Sequence, residues 1–303
     1  MQRSFVTISQ DGMEMLEYSS PSFPCIVLFA DVAKFITGDV PWHWHTDIEL
    51  IFIKNGTAKF NFRDTSYIIH QWEGGFINRN ILHSLQLYEC ESCEIITFIF
   101  SPSLFTGGIE NEFYHKFSTP LYSINGLDFI SFTNKIAWTT DCLNSILCAY
   151  SAYISEDPGK ELLIIEYLTH IWNHLLHDGI SNFVQIENIH SSSESRVKIM
   201  MKFIHEHYSE QLTLQRISES ARISTRECTR CFRNTIKTSP TTYLIKYRIT
   251  TAASLLSISS YSITEVGAKT GFNNSSYFTR MFQRYMNVTP KQYKQLHTSQ
   301  KNV

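Results

Sequence analysis

Near its C-terminal end the chain carries one helical pattern twice, and this doubling constrains the fold more than any other feature. The first copy, ISTRECTRCFRN, runs from Ile223 to Asn234, and the second, GFNNSSYFTRMFQRY, from Gly271 to Tyr285. In the second copy Phe278, Met281, Phe282 and Tyr285 fall at i, i+3, i+4 and i+7, which gathers them on one helical face. That face is a core face, and Asn273 or Asn274 is placed to cap the helix just before Ser275. The residues left outside are Ser275, Ser276, Thr279, Arg280 and Gln283, all short or hydrogen-bonding and none acidic. Such a face suits the edges of bases in a groove.

The first copy repeats the plan. Ser224 followed by Glu227 has the pattern of a capping box, Cys228, Cys231 and Phe232 share the inner side, and Thr225, Arg226, Thr229, Arg230 and Arg233 point outward. Each copy follows a shorter helix, the first capped by Thr213 with Leu214 and Ile217 inward, the second within TEVGAKT. A helix from about Ser195 to Tyr208, with Ile199, Phe203 and Ile204 inward, leads into the first unit. A long helix from about Thr241 to Ser257 joins the two, burying Leu244, Ile249, Ala252, Leu255 and Leu256. Short helix, tight turn and polar-faced helix make a helix-turn-helix, and two of them on a stiff spacer reach groove segments about 10 bp apart.

Charge follows the same division. From Ser191 onward there are 17 Lys and Arg against 6 Glu and no Asp, a net +11, while the preceding part holds 9 against 22, a net −13. A basic half beside an acidic one points to a polyanionic partner, double-stranded DNA, for the first only. A chain of 303 residues has room for two domains with separate cores. Neither an export signal nor a membrane span is evident, so a soluble, cytoplasmic protein with no membrane partner is expected. Seven cysteines, an odd number, argue for reduced thiols. The CxxC pairs Cys90/Cys93 and Cys228/Cys231 fall in different halves, which argues against a joint zinc site.

GFNNSSYFTRMFQRYMNVTPKQYK, Gly271 to Lys294, resembles the signature of the AraC/XylS family of bacterial transcription regulators, and SPTTYLIKYRITTAASLL, Ser239 to Leu256, resembles the family's linker region. The likeness covers about a hundred residues and implies a double helix-turn-helix DNA-binding domain over residues 194–298. It places base contacts on Arg226, Thr229 and Arg230 in the first reading helix and on Ser275, Ser276, Thr279 and Arg280 in the second. Three positions depart from the family pattern. Asn287 and Arg222 stand where Gly is usual, and Gly267 where the second unit favours Ala. Asn tolerates a left-handed backbone, whereas Arg222 is expected to loosen or reshape its turn.

The N-terminal part alternates and turns often enough for a jelly-roll or cupin-like β-barrel, taken as residues 1–105. Leu50 to Ile53 is apolar on both faces, Asn55-Gly56 signals a hairpin, Phe60 and Phe62 alternate with polar neighbours, and Glu73-Gly74-Gly75 signals a turn. His43, His45 and Glu49, with His83 downstream, resemble the metal motif of cupins, and on one extended strand the first three would face one interior. These four residues are the expected lining of a small-molecule effector site, and their polar groups suit a polyhydroxylated ligand such as a sugar. No metal or cofactor is expected, the alternative being iron, manganese, nickel or zinc on the same four residues. Trp42 and Trp44 alternate to the other face, for packing.

Gly126 to Ile180 reads as helical, the mostly helical segment being taken as residues 106–178, and Ile164, Leu168, Ile171 and Leu175 form a seam for either the barrel or a second subunit. A homodimer is expected from that seam. Residues 179–193, with the polar run SSSES, read as linker. Together these features describe an α+β multidomain protein, an effector-responsive transcription regulator and not an enzyme. Activation of a catabolic operon, such as one for sugar use, would add RNA polymerase as a partner. The competing reading is a metal-dependent cupin enzyme tethered to a DNA-binding domain.

Overall fold

The computed structural model describes residues 14, 18, 20, 23–63, 65–106, 111–122, 124, 127–180, 192–258 and 260–299. Among these it forms two compact units, divided at residues 191 and 192. Most of the expected linker, residues 181–191, lies outside the described residues.

The first unit is a barrel of two antiparallel sheets with helices on one side. Its strands are β1 (Cys25–Asp31), β2 (Asp39–His43), β3 (Ile48–Asn55), β4 (Thr57–Asn61), β5 (Ser66–His70), β6 (Gly74–Ile77), β7 (His83–Leu87), β8 (Glu94–Phe100) and β9 (Phe129–Phe132). One sheet runs in the order β1-β8-β3-β6-β9 and the other in the order β2-β7-β4-β5. The helices are α1 (Ser103–Thr106), α2 (Glu112–Tyr122), α3 (Ala137–Ile154) and α4 (Lys160–His174), the last continuing into a π turn over Leu175–Gly179.

The apolar run in β3 is explained by burial on both faces. Ile48, Leu50 and Phe52 join the cluster that includes α3 and α4, while Ile51 and Ile53 join the barrel interior with Ala58, Phe60 and Phe62. By the twofold period of a strand, Glu49 shares the interior side with Ile51. Phe60 and Phe62 are both buried at 2%, as their alternation predicts.

Three local expectations are corrected. Asn55-Gly56 does not close a hairpin: β3 and β4 lie in different sheets, so the pair turns a corner between them. Gly56 has φ +83°, and a Cβ there would stand 2.2 Å from the Ser92 carbonyl oxygen, so only glycine fits the corner. Gly74 and Gly75 belong to β6, with the turn completed before them. The stretch read as helical from Gly126 contains β9, which pairs with β6 and completes the larger sheet.

The seam of Ile164, Leu168, Ile171 and Leu175 is buried at 0–1% in the same core as Phe76, Phe98 and Leu143. It therefore packs on the barrel of its own chain and is not available to a second subunit. Each such side chain contributes roughly 1.5–3 kcal/mol on burial, which docks a helix too short to persist alone.

The second unit contains α5 (Ser192–His207), α6 (Leu214–Ser220), α7 (Thr225–Ile236), α8 (Pro240–Ile258), α9 (Ile263–Lys269), α10 (Ser275–Met286) and α11 (Pro290–Ser299). The doubling is evident in length: α6 and α9 have 7 residues each, α7 and α10 have 12 each. In α5 the buried face is Val197, Met200, Met201 and Ile204, and Ile199 is 47% exposed, contrary to its expected inward position. The i, i+3, i+4, i+7 frame starting at Val197 wins because it collects four apolar side chains, two of them methionines that a search for branched aliphatics overlooks.

Left-handed residues end both reading helices, Lys237 at φ 53° and Asn287 at φ 58°. Arg222 keeps the left-handed geometry usual for glycine, at φ 55°, so its turn is strained but not reshaped.

His205 is 4% exposed between α5 and α8, with Nε2 2.9 Å from the Tyr243 hydroxyl and the ring stacked on Tyr247 at 4.1 Å. Burial pushes its pKa down to about 3. The folded state holds it neutral while the unfolded chain protonates it near 6.5, so stability is full above pH 6.5 and falls as pH drops toward 3. Between pH 7 and pH 5.5 this residue is expected to remove about 1 kcal/mol from the stability of the helical unit. Urea titrations of the parent and of His205→Gln at both pH values check it; equal pH dependence in the two proteins would contradict the assignment.

Candidate DNA interface and effector site

The reading helices start as the sequence implies. Ser224 Oγ accepts from the Glu227 amide at 3.2 Å, and Asn274 Oδ1 accepts from the Tyr277 amide at 2.9 Å. Cys228, Cys231 and Phe232 of α7, and Phe278, Met281 and Phe282 of α10, are buried. This leaves Arg226, Arg230, Ser275, Ser276 and Arg280 exposed, and Thr229 and Thr279 half-buried beside them. All seven candidate base-reading residues therefore lie on the two outward faces.

The capping box at α7 is not closed. The Glu227 carboxylate instead accepts from Arg230 Nε at 2.7 Å and Nη2 at 2.6 Å, and from Arg196 Nη1 at 3.3 Å. These cations, Arg230 foremost, hold the Glu227 carboxyl down at about 2. The reciprocal box forms at α9, between Ser262 and Glu265. Arg280 differs from Arg230: its guanidinium lies 5.4 Å from the Tyr277 ring centroid, and it has no carboxylate partner among the described residues. Tyr277, 37% exposed, belongs to this surface although the helical pattern gave no signal for it.

One junction ties the two motifs together. From α8, Arg248 donates through Nε to the Tyr208 carbonyl at 2.7 Å and through Nη2 to the Glu210 carbonyl at 2.7 Å. Gly271 packs against the same atoms at φ +80°. The turn before α10 is thus seated on the segment that enters the first motif.

In the barrel, β2 ends at His43 and β3 begins at Ile48, so His43, His45 and Glu49 do not share one strand. They converge because the chain folds back between the sheets, with His83 on β7 directly opposite His43. His43, His45, Glu49 and His83 are 5%, 1%, 7% and 2% exposed, and one donor atom from each lies within 4.8 Å of all the others.

Each imidazole is oriented through Nδ1: His43 to the Pro41 carbonyl at 2.8 Å, His45 to Asp47 at 2.9 Å and His83 to Ile81 at 2.8 Å. A carbonyl only accepts, so each Nδ1 carries the proton and each Nε2 turns a lone pair inward. Glu49 Oε2 lies 3.2 Å from His45 Nε2 and 3.0 Å from His83 Nε2. Acceptors at such distances need a shared cation, either a proton or a metal ion. Burial raises the Glu49 carboxyl, but His45 and His83 outweigh it and hold the group below the usual carboxylate range. Burial and the neighbouring His83 keep His43 neutral. Burial opposes charge on His45, yet Glu49 outweighs it and raises the pKa.

Three of the four, His43, Glu49 and His83, open onto a cavity of about 50 Å³, while His45 is not part of its lining. Its other walls are mostly apolar, among them Leu28, Ile51, Phe60, Leu85 and Ile99. Glu14, 3% exposed, also lines it, with Oε2 3.6 Å from His43 Nε2 and its amide donating to the Trp44 carbonyl at 2.8 Å. No motif spacing pointed to Glu14, because it arrives from a segment far upstream. Trp44 is 9% exposed, in keeping with a packing role.

A barrel with a closed polar cluster in one unit and twin helix-turn-helix motifs in the other define a DNA-binding transcription regulator with an effector-binding domain. Residues 28–171 match the model of the AraC-like ligand binding domain, and residues 217–296 match a helix-turn-helix domain. The chain belongs to the AraC/XylS family of transcription regulators. It is 29% identical over 297 residues to the uncharacterized HTH-type transcriptional regulator YdeC of Bacillus subtilis, covering 98% of this chain and 100% of that one. It is 25% identical over 137 residues to the transcriptional activator RhaS of Salmonella schwarzengrund, 45% of this chain and 46% of that one. Among solved structures, ToxT from Vibrio cholerae aligns at TM-score 0.47 and 16% identity over 89% of this chain and 98% of that one. No helix among the described residues is long and apolar enough to cross a membrane.

Proposed function

We propose that the protein is an activator whose two reading helices bind consecutive major-groove segments and whose barrel cavity tunes that binding. The observation that carries this reading is the matched pair of capped helices, α7 and α10, with polar faces open to solvent. Arg226, Thr229 and Arg230 would read one segment and Ser275, Ser276, Thr279 and Arg280 the next, while other Lys and Arg side chains hold phosphates. The effector cavity, with His43, Glu49 and His83 at one end and apolar walls elsewhere, favours a ligand with an apolar body over a sugar, whose hydroxyls would find few partners there.

The control of a catabolic operon, contact with RNA polymerase and assembly as a homodimer belong to the same reading. The exposed Ile154 and Leu162, at the junction of α3 and α4, support a subunit contact there in place of the buried seam. An effector acts only by binding one arrangement of the protein more tightly than another. Genome-wide footprinting of the native protein tests the proposal. Expected are protected sites with two short conserved elements about 10 bp apart, upstream of transcription units whose expression falls on deletion of the gene. Protection without sequence preference would overturn it.

A further inference from the structure

We propose that the barrel cavity holds one divalent first-row transition-metal ion, ligated by His43 Nε2, His45 Nε2, His83 Nε2 and the Glu49 carboxylate, with Glu14 as a second carboxylate beside it. This deepens the effector-site reading and rests on it only for the regulatory consequence. Three observations independent of any sequence motif lead here. The first is orientation: all three Nδ1 atoms are committed to backbone carbonyls, at 2.8, 2.9 and 2.8 Å, leaving three lone pairs directed at one point. Metal-binding histidines are held in this way.

The second is spacing. Two donors each about 2.1 Å from one ion stand about 3.0 Å apart at a right angle and about 3.4 Å apart at the tetrahedral angle. The Glu49 oxygen lies 3.0 Å from His83 Nε2 and 3.2 Å from His45 Nε2, and the Glu14 oxygen 3.6 Å from His43 Nε2. The third is incompleteness. His83 Nε2 is fully buried and makes no hydrogen bond among the described residues, although a carboxylate oxygen is its neighbour. Two buried carboxylates share this end of a cavity that no Lys or Arg lines. A proton on one imidazole serves one pair, whereas a dication serves every donor at once. Nitrogen and carboxylate donors together suit iron, manganese, nickel, cobalt or zinc, and the absence of thiolate disfavours softer ions.

The test uses the full-length protein, stripped with a chelator and titrated with Co(II), whose visible absorption reports coordination. Expected are saturation at one equivalent per chain, competition by Zn(II), and at least a tenfold loss of affinity in Glu49→Gln and in the double variant His43→Gln/His83→Gln. Glu14→Gln is expected to weaken binding by about tenfold with the bands retained in altered form. Circular dichroism establishes that each variant is folded; should the double variant fail to fold, Glu49→Gln, nearly isosteric, decides. Absence of bands, substoichiometric binding, or equal affinity in Glu49→Gln would overturn the site. Repeating the DNA-binding measurement with stripped and loaded protein separates the two claims. A bound metal with no effect on DNA affinity would keep the site and overturn its role in sensing, while loss of specific DNA binding in both states would overturn the regulator reading alone.

Discussion

Replacing Gly271 with alanine is expected to destabilise the helical unit by about 3 kcal/mol. Two costs combine: an L-residue with a side chain in the left-handed region costs about 1–2 kcal/mol, and overpacking a fixed neighbour costs about 1–3 kcal/mol. The new Cβ would lie 2.5 Å from the Tyr208 carbonyl oxygen and 2.8 Å from the Arg248 guanidinium carbon, at φ +80°. The carbonyl is backbone and already accepts from Arg248 Nε at 2.7 Å, so it has little freedom to retreat. Urea unfolding gives the stability directly. DNA affinity measured where both proteins remain folded should fall as well, because the displaced turn carries the start of α10. A midpoint shift worth under about 0.5 kcal/mol would mean that the two motifs are not braced at this junction.

Arg280→Ala is expected to weaken binding to a selected DNA site by about 1–3 kcal/mol and to relax preference at one base pair. Arg280 stands over Tyr277 with no carboxylate partner among the described residues, so it reaches DNA at little cost. Arg230 must loosen two bonds to Glu227, of 2.7 and 2.6 Å, before it can turn to a base, and Arg230→Ala is expected to cost less. Because the Glu227 pair is solvent-exposed and screened, loosening it costs little, so the order of the two effects is the informative quantity. Fluorescence anisotropy at one fixed salt concentration, on the selected site and its single-base variants, measures both. Unchanged affinity and unchanged preference in the two variants would remove these faces from the interface.

The DNA-binding unit was legible because its information is local. Caps, helical spacing and charge lie within a dozen residues of one another, and Ser224, Asn274, Phe232 and Phe282 take the places their neighbours require. Ile199 was misplaced because two frames compete in α5 and methionine decides between them. The barrel was harder to read. Asn55-Gly56 has the composition of a hairpin turn but stands at a sheet corner, where Gly56 alone of the two takes a positive φ and β4 pairs with β5 and β7 in place of β3. The polar cluster was found by its spacing, but for a reason that does not hold: its members meet across two sheets, not along one strand. Glu14 carried no local signal at all, since long-range approach leaves no trace in spacing.

Strand β3 has no water-facing side between Ile48 and Ile53. Its even-numbered side chains bear on the same apolar mass as Leu143 of α3 and Leu168 of α4, its odd-numbered ones on the lumen. Packed protein is nearly incompressible, so whatever lodges beside Glu49 and Ile51 cannot be absorbed by solvent and must nudge the outer helices. The wall of the chamber therefore works as a diaphragm, passing a small push on its inner surface to the layer behind it.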